Sequence, residues 1–168
     1  MTSRTRIADL STTTDGSTVT LGGFVETVRD QKKVQFVILR DETGSVQLVN
    51  PALRAEDEGA SDQPERRSVT DAISALTGGT FLTVSGILKL DERVKLGGLE
   101  VKISSLEATG AAKEEPPIAE DSSVDKRMDW RFLDLRRPAA NLTFRAQTAF
   151  EHGMRGWFVG NDWIEIHT

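Results

Sequence analysis

The chain has 168 residues, 38% hydrophobic and 28% charged, with a formal net charge of -5, which suits one packed domain plus an appendage and argues against sequence-blind nucleic-acid binding through bulk charge. It has no Cys, and its two His, His152 and His167, lie far apart, which excludes disulfides and thiolate metal sites and leaves no metal-ligand spacing. No apolar run approaches the ~18 residues of a membrane span and MTSRTRIADL lacks the apolar core of a signal peptide, so a reducing, cytoplasmic setting without membrane contact is expected.

The first half reads as strands. Residues 18–28, TVTLGGFVETV, are rich in β-branched side chains, and Gly22-Gly23 suggests a bulge or coil within the strand. A turn at 30–33 leads into a strand over 34–41, and Glu42-Thr43-Gly44 turns into another over 45–50. Residues 51–68 are polar, acidic and aperiodic, as expected of a surface loop. Val69, Ile73 and Leu76 then recur at helical spacing, with Ser68 as the expected N-cap and Gly78-Gly79 closing the C-terminus. Two more strands follow, 80–90 and 99–106, joined by a turn at 95–98.

Three strands, a short helix and two strands is the order of a mainly β, five-stranded OB barrel, with the helix between the third and fourth strands plugging one end. Glycines inside the first and fourth strands suit a small closed sheet, which needs places to bend. An SH3-like barrel usually lacks that helix. The barrel is assigned to residues 1–107.

Residues 108–124, with their small and acidic side chains and Pro116-Pro117, read as a linker. A hinge over 125–138 follows, closing a linker-and-hinge region of 108–137, and Pro138 opens a helix to about Gly160. The spacing of Leu142, Ala146, Ala149, Phe150, Met154, Trp157 and Phe158 predicts a buried helix face. Gly160-Asn161-Asp162 stops the helix, and Trp163–Thr168 is expected to start a strand. Charge is uneven: residues 126–145 hold six basic groups against two acidic ones, a pattern open either to phosphate contact or to a solvated, ion-paired surface.

Arg131-Phe-Leu-Asp-Leu-Arg-Arg-Pro138, followed by Phe144-Arg145 and Trp163-Ile-Glu-Ile-His-Thr168, resembles the hinge and motif 1 of class II aminoacyl-tRNA synthetases of the aspartyl, asparaginyl and lysyl group. RFLDLRRP resembles the aspartyl member most, and residues 97–101 with Pro116-Pro117 are similar to its archaeal and eukaryotic form. The resemblance spans essentially the whole chain. It implies that 138–168 begins a catalytic domain, that the cut falls within motif 1, and that this helix and strand form a homodimer interface. Motifs 2 and 3, which would hold ATP and Mg, have no counterpart; Phe144-Arg145-Ala146-Gln147 lacks the Glu of motif 2. No catalytic residue, metal or cofactor is therefore assigned, and activity of these residues alone is not expected.

The same resemblance implies that Phe36 stacks on the central anticodon base and that Arg29, Gln47 and Glu100 contact anticodon bases. The partner would be an aspartate tRNA, with asparagine acceptance left open. Weaker contacts to the tRNA backbone or hinge are assigned to Lys32, Lys33, Arg131, Arg136 and Arg137, with a merely solvated turn left open for the two lysines. The sequence departs from the family at Gln31-Lys32-Lys33, where a glycine is usual, and at Phe24, where a Trp is usual. The chemistry is sound without the family: an apolar ring stacks on an unstacked base, and amides and carboxylates read the edges of splayed RNA bases. The residues alone leave plainer readings open, with Phe36 as core, Gln47 as an outward polar residue, and Glu100 paired to Lys102 or Lys95. Three functions remain open: the front end of an aspartate–tRNA ligase, a stand-alone tRNA-binding paralogue acting in trans or as a dimerising regulator, and a generic single-strand-binding OB protein.

Overall fold

A computed structural model describes residues 4–57 and 60–166 of the chain. They form two compact units, one running to Glu115 and one from Pro116.

The first unit holds β1 (Thr18–Asp30), β2 (Val34–Arg40), β3 (Ser45–Pro51), α1 (Pro64–Ser74), β4 (Phe81–Leu90) and β5 (Leu99–Ala108). The strands close into a barrel in the order β1-β2-β3-β5-β4. Only the β3–β5 seam is parallel; the other pairs are antiparallel. This is the expected OB barrel, closed by a short parallel seam in which Gln47–Val49 of β3 face Glu100–Lys102 of β5. Strand alternation decides what fills it. Val37 and Leu39 of β2 and Val46 and Leu48 of β3 are buried, while their neighbours along each strand are only partly covered.

Gly22-Gly23 is not the site of the bulge. Both glycines pair regularly with β4, and the register slips between Val25 and Thr27 instead. Gly23 serves close approach: a Cβ there would lie 2.3 Å from the carbonyl oxygen of Arg40. Gly86 of β4 plays the same part, 2.3 Å from the carbonyl oxygen of Lys102. Both positions let strands cross tightly at barrel corners.

Two elements plug the barrel. A 3-10 helix over Ile7–Thr12, which the sequence pattern did not reveal, buries Ile7 and Leu10. Asp41 ties it down by accepting from the Ile7 backbone N–H at 2.8 Å. The α1 helix begins at Pro64, earlier than the expected start after Ser68, with Pro in its first turn and Gln63 at the N-cap. Proline's fixed φ and missing N–H suit a first turn, whose donors have no helical partner in any case. Ser68 thus lies inside the helix, and Ile73 points into the core.

In the second unit, the expected hinge is helical: α2 (Val124–Asp129) and α3 (Arg131–Asp134) precede α4 (Pro138–Gly160). Ser123 caps α2 by accepting from the Lys126 N–H. The α4 bounds match the sequence pattern, but its apolar face is exposed rather than buried, with Leu142, Phe150 and Trp157 all more than 60% accessible. The expected strand does not form over 163–166, and His167 and Thr168 lie outside the described residues. A strand needs a neighbour for its backbone groups. Here Glu165 pairs with Arg155 at 2.9 Å and Trp163 meets the edge of Phe158, which folds the segment back along α4.

Candidate nucleic-acid interface

Strand register brings four sequence-predicted residues onto one outward face of the barrel. Arg29 lies opposite Phe36 across β1 and β2, and Gln47 lies opposite Glu100 across the parallel β3–β5 seam. The phase of β2 explains the exposed ring. Gln35, Val37 and Leu39 point inward, so Phe36 and Ile38 point outward and remain half-buried. Phe36 is therefore not barrel core.

The four side chains form a connected surface. The Arg29 guanidinium lies 5.4 Å from the centre of the Phe36 ring, within cation–π range. Its Nη2 donates to Gln47 Oε1 at 3.4 Å, and Gln47 Nε2 donates to Glu100 Oε2 at 3.3 Å. Glu100 thus meets Gln47 rather than pairing with Lys102 or Lys95. Both bonds are long for their type and open to exchange with an incoming base edge. A cation on one side and a carboxylate on the other set the amide's orientation, giving an ordered row of donor, ring, amide and acceptor.

A buried polar cluster beneath this face was missed in the sequence. Gln35 is fully buried; its Nε2 donates to the Thr70 carbonyl at 3.1 Å and Ser74 Oγ at 3.0 Å, and its Oε1 accepts from Asn50 Nδ2 at 2.8 Å. Thr70 Oγ1 accepts from Asn50 and from the Leu53 N–H, and donates to the Arg66 carbonyl. Among the described residues, no buried side-chain nitrogen or oxygen lacks a partner. The signal was present: Gln35 sits in phase with Val37 and Leu39, so a polar residue was bound to enter the barrel and require partners.

The cluster reaches the β1–β2 turn through Ser74, whose hydroxyl donates to Asp30 Oδ2 at 2.7 Å. Arg54 clamps the same turn, donating to Asp30 and to the Gln31 carbonyl. Burial pushes the Asp30 carboxyl upward, but hydrogen bonds from Ser74, Gln35 and Arg54 and the Arg54 charge outweigh it and hold the pKa below the ordinary Asp value. Asp30 is next in sequence to Arg29, so the turn that aims Arg29 is anchored to α1. Lys32 and Lys33 are exposed on this turn.

The remaining predicted residues lie in the second unit. Arg137 Nη1 donates to Asp134 at 3.0 Å, and its guanidinium also meets the carbonyls of Ala119 and Glu120. Arg127 donates to the same carboxylate at 2.9 Å. This hydrogen bond and the two arginine charges hold the Asp134 carboxyl below its ordinary value. Arg137 is thereby engaged inside its own unit. Arg131 lies over Phe144, 5.1 Å from the ring centre, and Arg136 is exposed. Among the described residues no three His, Asp or Glu side chains gather where they could hold a metal ion, and no helix is long and apolar enough to cross a membrane.

A closed five-stranded barrel presenting a half-buried ring, an arginine, an amide and a carboxylate on one face defines an OB-fold nucleic-acid-binding domain. Comparison with known proteins narrows this. The profile of the tRNA anticodon family, described as an OB-fold nucleic acid binding domain, matches residues 19–108, more than half of the chain, and the chain belongs to that family. An aspartate–tRNA(Asp/Asn) ligase of Methanopyrus kandleri is 31% identical over 165 residues, covering 96% of this chain and 36% of the relative. An aspartate–tRNA(Asp) ligase of Pyrococcus horikoshii is 30% identical, covering 92% and 34%. The chain thus spans about a third of the length of these curated relatives. Among solved structures, the asparaginyl-tRNA synthetase of Pyrococcus horikoshii complexed with asparaginyl-adenylate superposes with a TM-score of 0.83 at 28% identity, over 99% of this chain and 36% of that one.

Proposed function

We propose that these residues recognise a tRNA anticodon as the N-terminal part of an aspartate–tRNA ligase. The observation that carries the reading is the connected row of Arg29, Phe36, Gln47 and Glu100 on one barrel face. The central anticodon base stacks on Phe36, while Gln47 and Glu100 offer a donor and an acceptor to base edges and Arg29, 5.4 Å from the ring centre, contacts the bases beside it. Lys32 and Lys33 flank the site as phosphate contacts. The ATP and Mg chemistry of the ligase is assigned to no residue of this chain, and 138–168 is read as a surface for a second copy.

The test compares an aspartate tRNA with the same tRNA carrying a scrambled anticodon, at one fixed salt concentration. Anticodon reading requires the intact tRNA to bind more tightly, and Phe36→Ala to shrink the difference. Equal affinities would instead mean a generic single-strand binder whose grip is electrostatic.

A further inference from the structure

Beyond the Phe36 face, the first unit contains a cleft of about 390 Å³ where β3, β5 and α1 meet. Arg66, Lys102, Ser104 and Asn50 supply its polar lining, Val69 and Ile103 its apolar walls, and among the described residues no carboxylate lines it. That composition is notable in a chain of net charge -5. Arg66 is held by neutral partners, donating from Nη1 to Gln63 Oε1 at 2.6 Å and from Nη2 to the Pro51 carbonyl at 3.5 Å. Among the described residues neither Arg66 nor Lys102 forms a salt bridge. Both are exposed. Ser104 is the extra residue of a β5 bulge, since Gly86 of β4 pairs with Ile103 and Ser85 pairs with Ser105; bulges of this kind re-aim a side chain. The Asn50 amide is already committed to Gln35 and Thr70.

The cleft continues the proposed binding row. Phe36 lies opposite Val49, and Val49 lies opposite Lys102, so Lys102 stands two strand spacings from the ring, about 10 Å. We propose that this cleft is a phosphate subsite, holding a backbone phosphodiester of a loop nucleotide near the base on Phe36. Lys102 and Arg66 neutralise the phosphate, and the Ser104 hydroxyl donates to one of its oxygens. The proposal rests on the anticodon-face reading and adds a path to it: the RNA strand runs from the Arg29–Phe36 pair across Val49 of β3 to Lys102 of β5 and Arg66 in the first turn of α1. Phosphate contacts fix register while base contacts carry the sequence, so this subsite sets which loop base reaches Phe36.

The experiment uses the 168-residue chain and an RNA hairpin carrying the aspartate anticodon loop, with single methylphosphonates walked through the loop to neutralise one phosphate at a time. In the unaltered chain, neutralising one phosphate beside the stacked base lowers affinity about tenfold. In an Arg66→Gln/Lys102→Gln variant the same neutralisation has no effect, and the slope of log affinity against log salt falls by about 0.7 for the lost phosphate. A methylphosphonate profile that is the same in both proteins would overturn the subsite. The Phe36→Ala variant separates this from the underlying reading: if it and a scrambled loop both bind unchanged, the anticodon face fails, and the subsite as proposed fails with it. If only the profile is unmoved, the face stands and the cleft does not.

Discussion

Gln47 and Glu100 lie directly opposite one another on a parallel strand pair, and their side chains bond at 3.3 Å. A side-chain amide can flip, presenting either oxygen or nitrogen to a ligand. Here Glu100 holds the nitrogen while Arg29 holds the oxygen at 3.4 Å. Glu100→Gln removes the charge that fixes this orientation. The expected result is a loss of about tenfold in affinity for the cognate anticodon loop, ~1.4 kcal/mol, with little loss for a scrambled loop. Fluorescence anisotropy on both RNAs measures the two effects together, and a uniform loss would show that Glu100 acts on the phosphate backbone's field instead.

Phe36 makes the opposite demand, because its ring is half-buried on the outside of a barrel whose interior is already filled. Phe36→Ala should weaken RNA binding by ~1–3 kcal/mol, the contribution of one base–aromatic stack. Its effect on folding should be much smaller than a core truncation, which costs about 3–5 kcal/mol for a buried Phe. Phe36→Trp should retain binding, since a larger ring still offers a stacking face. Calorimetric titration alongside thermal unfolding checks both halves; a destabilisation as large as the binding loss would return Phe36 to a structural role.

Thr70 predicts a purely structural loss. Its hydroxyl serves Asn50, the Leu53 N–H and the Arg66 carbonyl in a buried site. Thr70→Val keeps the volume but leaves the Leu53 N–H and one Asn50 donor without that acceptor. Each buried unsatisfied group costs about 1–3 kcal/mol, so for these two groups urea unfolding should register a loss of ~2–6 kcal/mol. Through Ser74 and Asp30 the same cluster reaches the turn beside Arg29, so hydrogen exchange of the Gln31–Lys33 amides should rise in this variant.

How much of this was legible in the sequence follows the physics of each element. The five strands were readable because a small barrel imposes period-two alternation, and the glycines marked its corners. The α1 start was misplaced because Pro64 lies in an acidic, aperiodic stretch that resembles a loop until its proline is read as a first helical turn. The Ile7–Thr12 turn offers only Ile7 and Leu10 as buried residues and no repeating period. For the site, alternation alone placed Gln35 and Phe36 on opposite faces without saying which was inside; Val37 and Leu39 settle it. The Arg66–Lys102 cleft joins residues far apart in sequence, across α1 and a parallel seam, which no local pattern encodes. The segment 163–166 failed as a strand because strand character depends on a partner, not on its own residues.

Asp41 carries a pH prediction. Burial pushes its carboxyl upward, but the N–H groups of Ile7, Thr43 and Gly44 and the Thr43 hydroxyl donate to it and bring the net pKa below the ordinary Asp value. A folded pKa below the unfolded one stabilises the protein above the unfolded value, near 3.9, and that contribution disappears as pH falls through the folded pKa. Asp41→Asn should therefore lower the melting temperature at pH 7, and the gap to the unaltered chain should narrow below about pH 4. A gap constant from pH 7 to pH 3 would mean that the carboxylate charge contributes nothing and only the turn geometry matters.

The exposed face of α4 predicts self-association. Leu142, Phe150 and Trp157 are each more than 60% accessible along a helix of 23 residues, and Trp163 just beyond it is as well. An apolar stripe of that length is far larger than the scattered exposed hydrophobics of an ordinary monomer, and a stable interface needs roughly 800 Å² from each partner. Sedimentation velocity should show a concentration-dependent shift from monomer to dimer, because an isologous contact between two copies closes on itself. Leu142→Glu with Trp157→Glu should hold the chain monomeric, since each introduced carboxylate would have to be desolvated in the contact. The barrel provides the internal control: RNA hairpin binding through the Phe36 face should persist in that double variant. A dimer that survives both charges would place the contact elsewhere and leave α4 without a role in association.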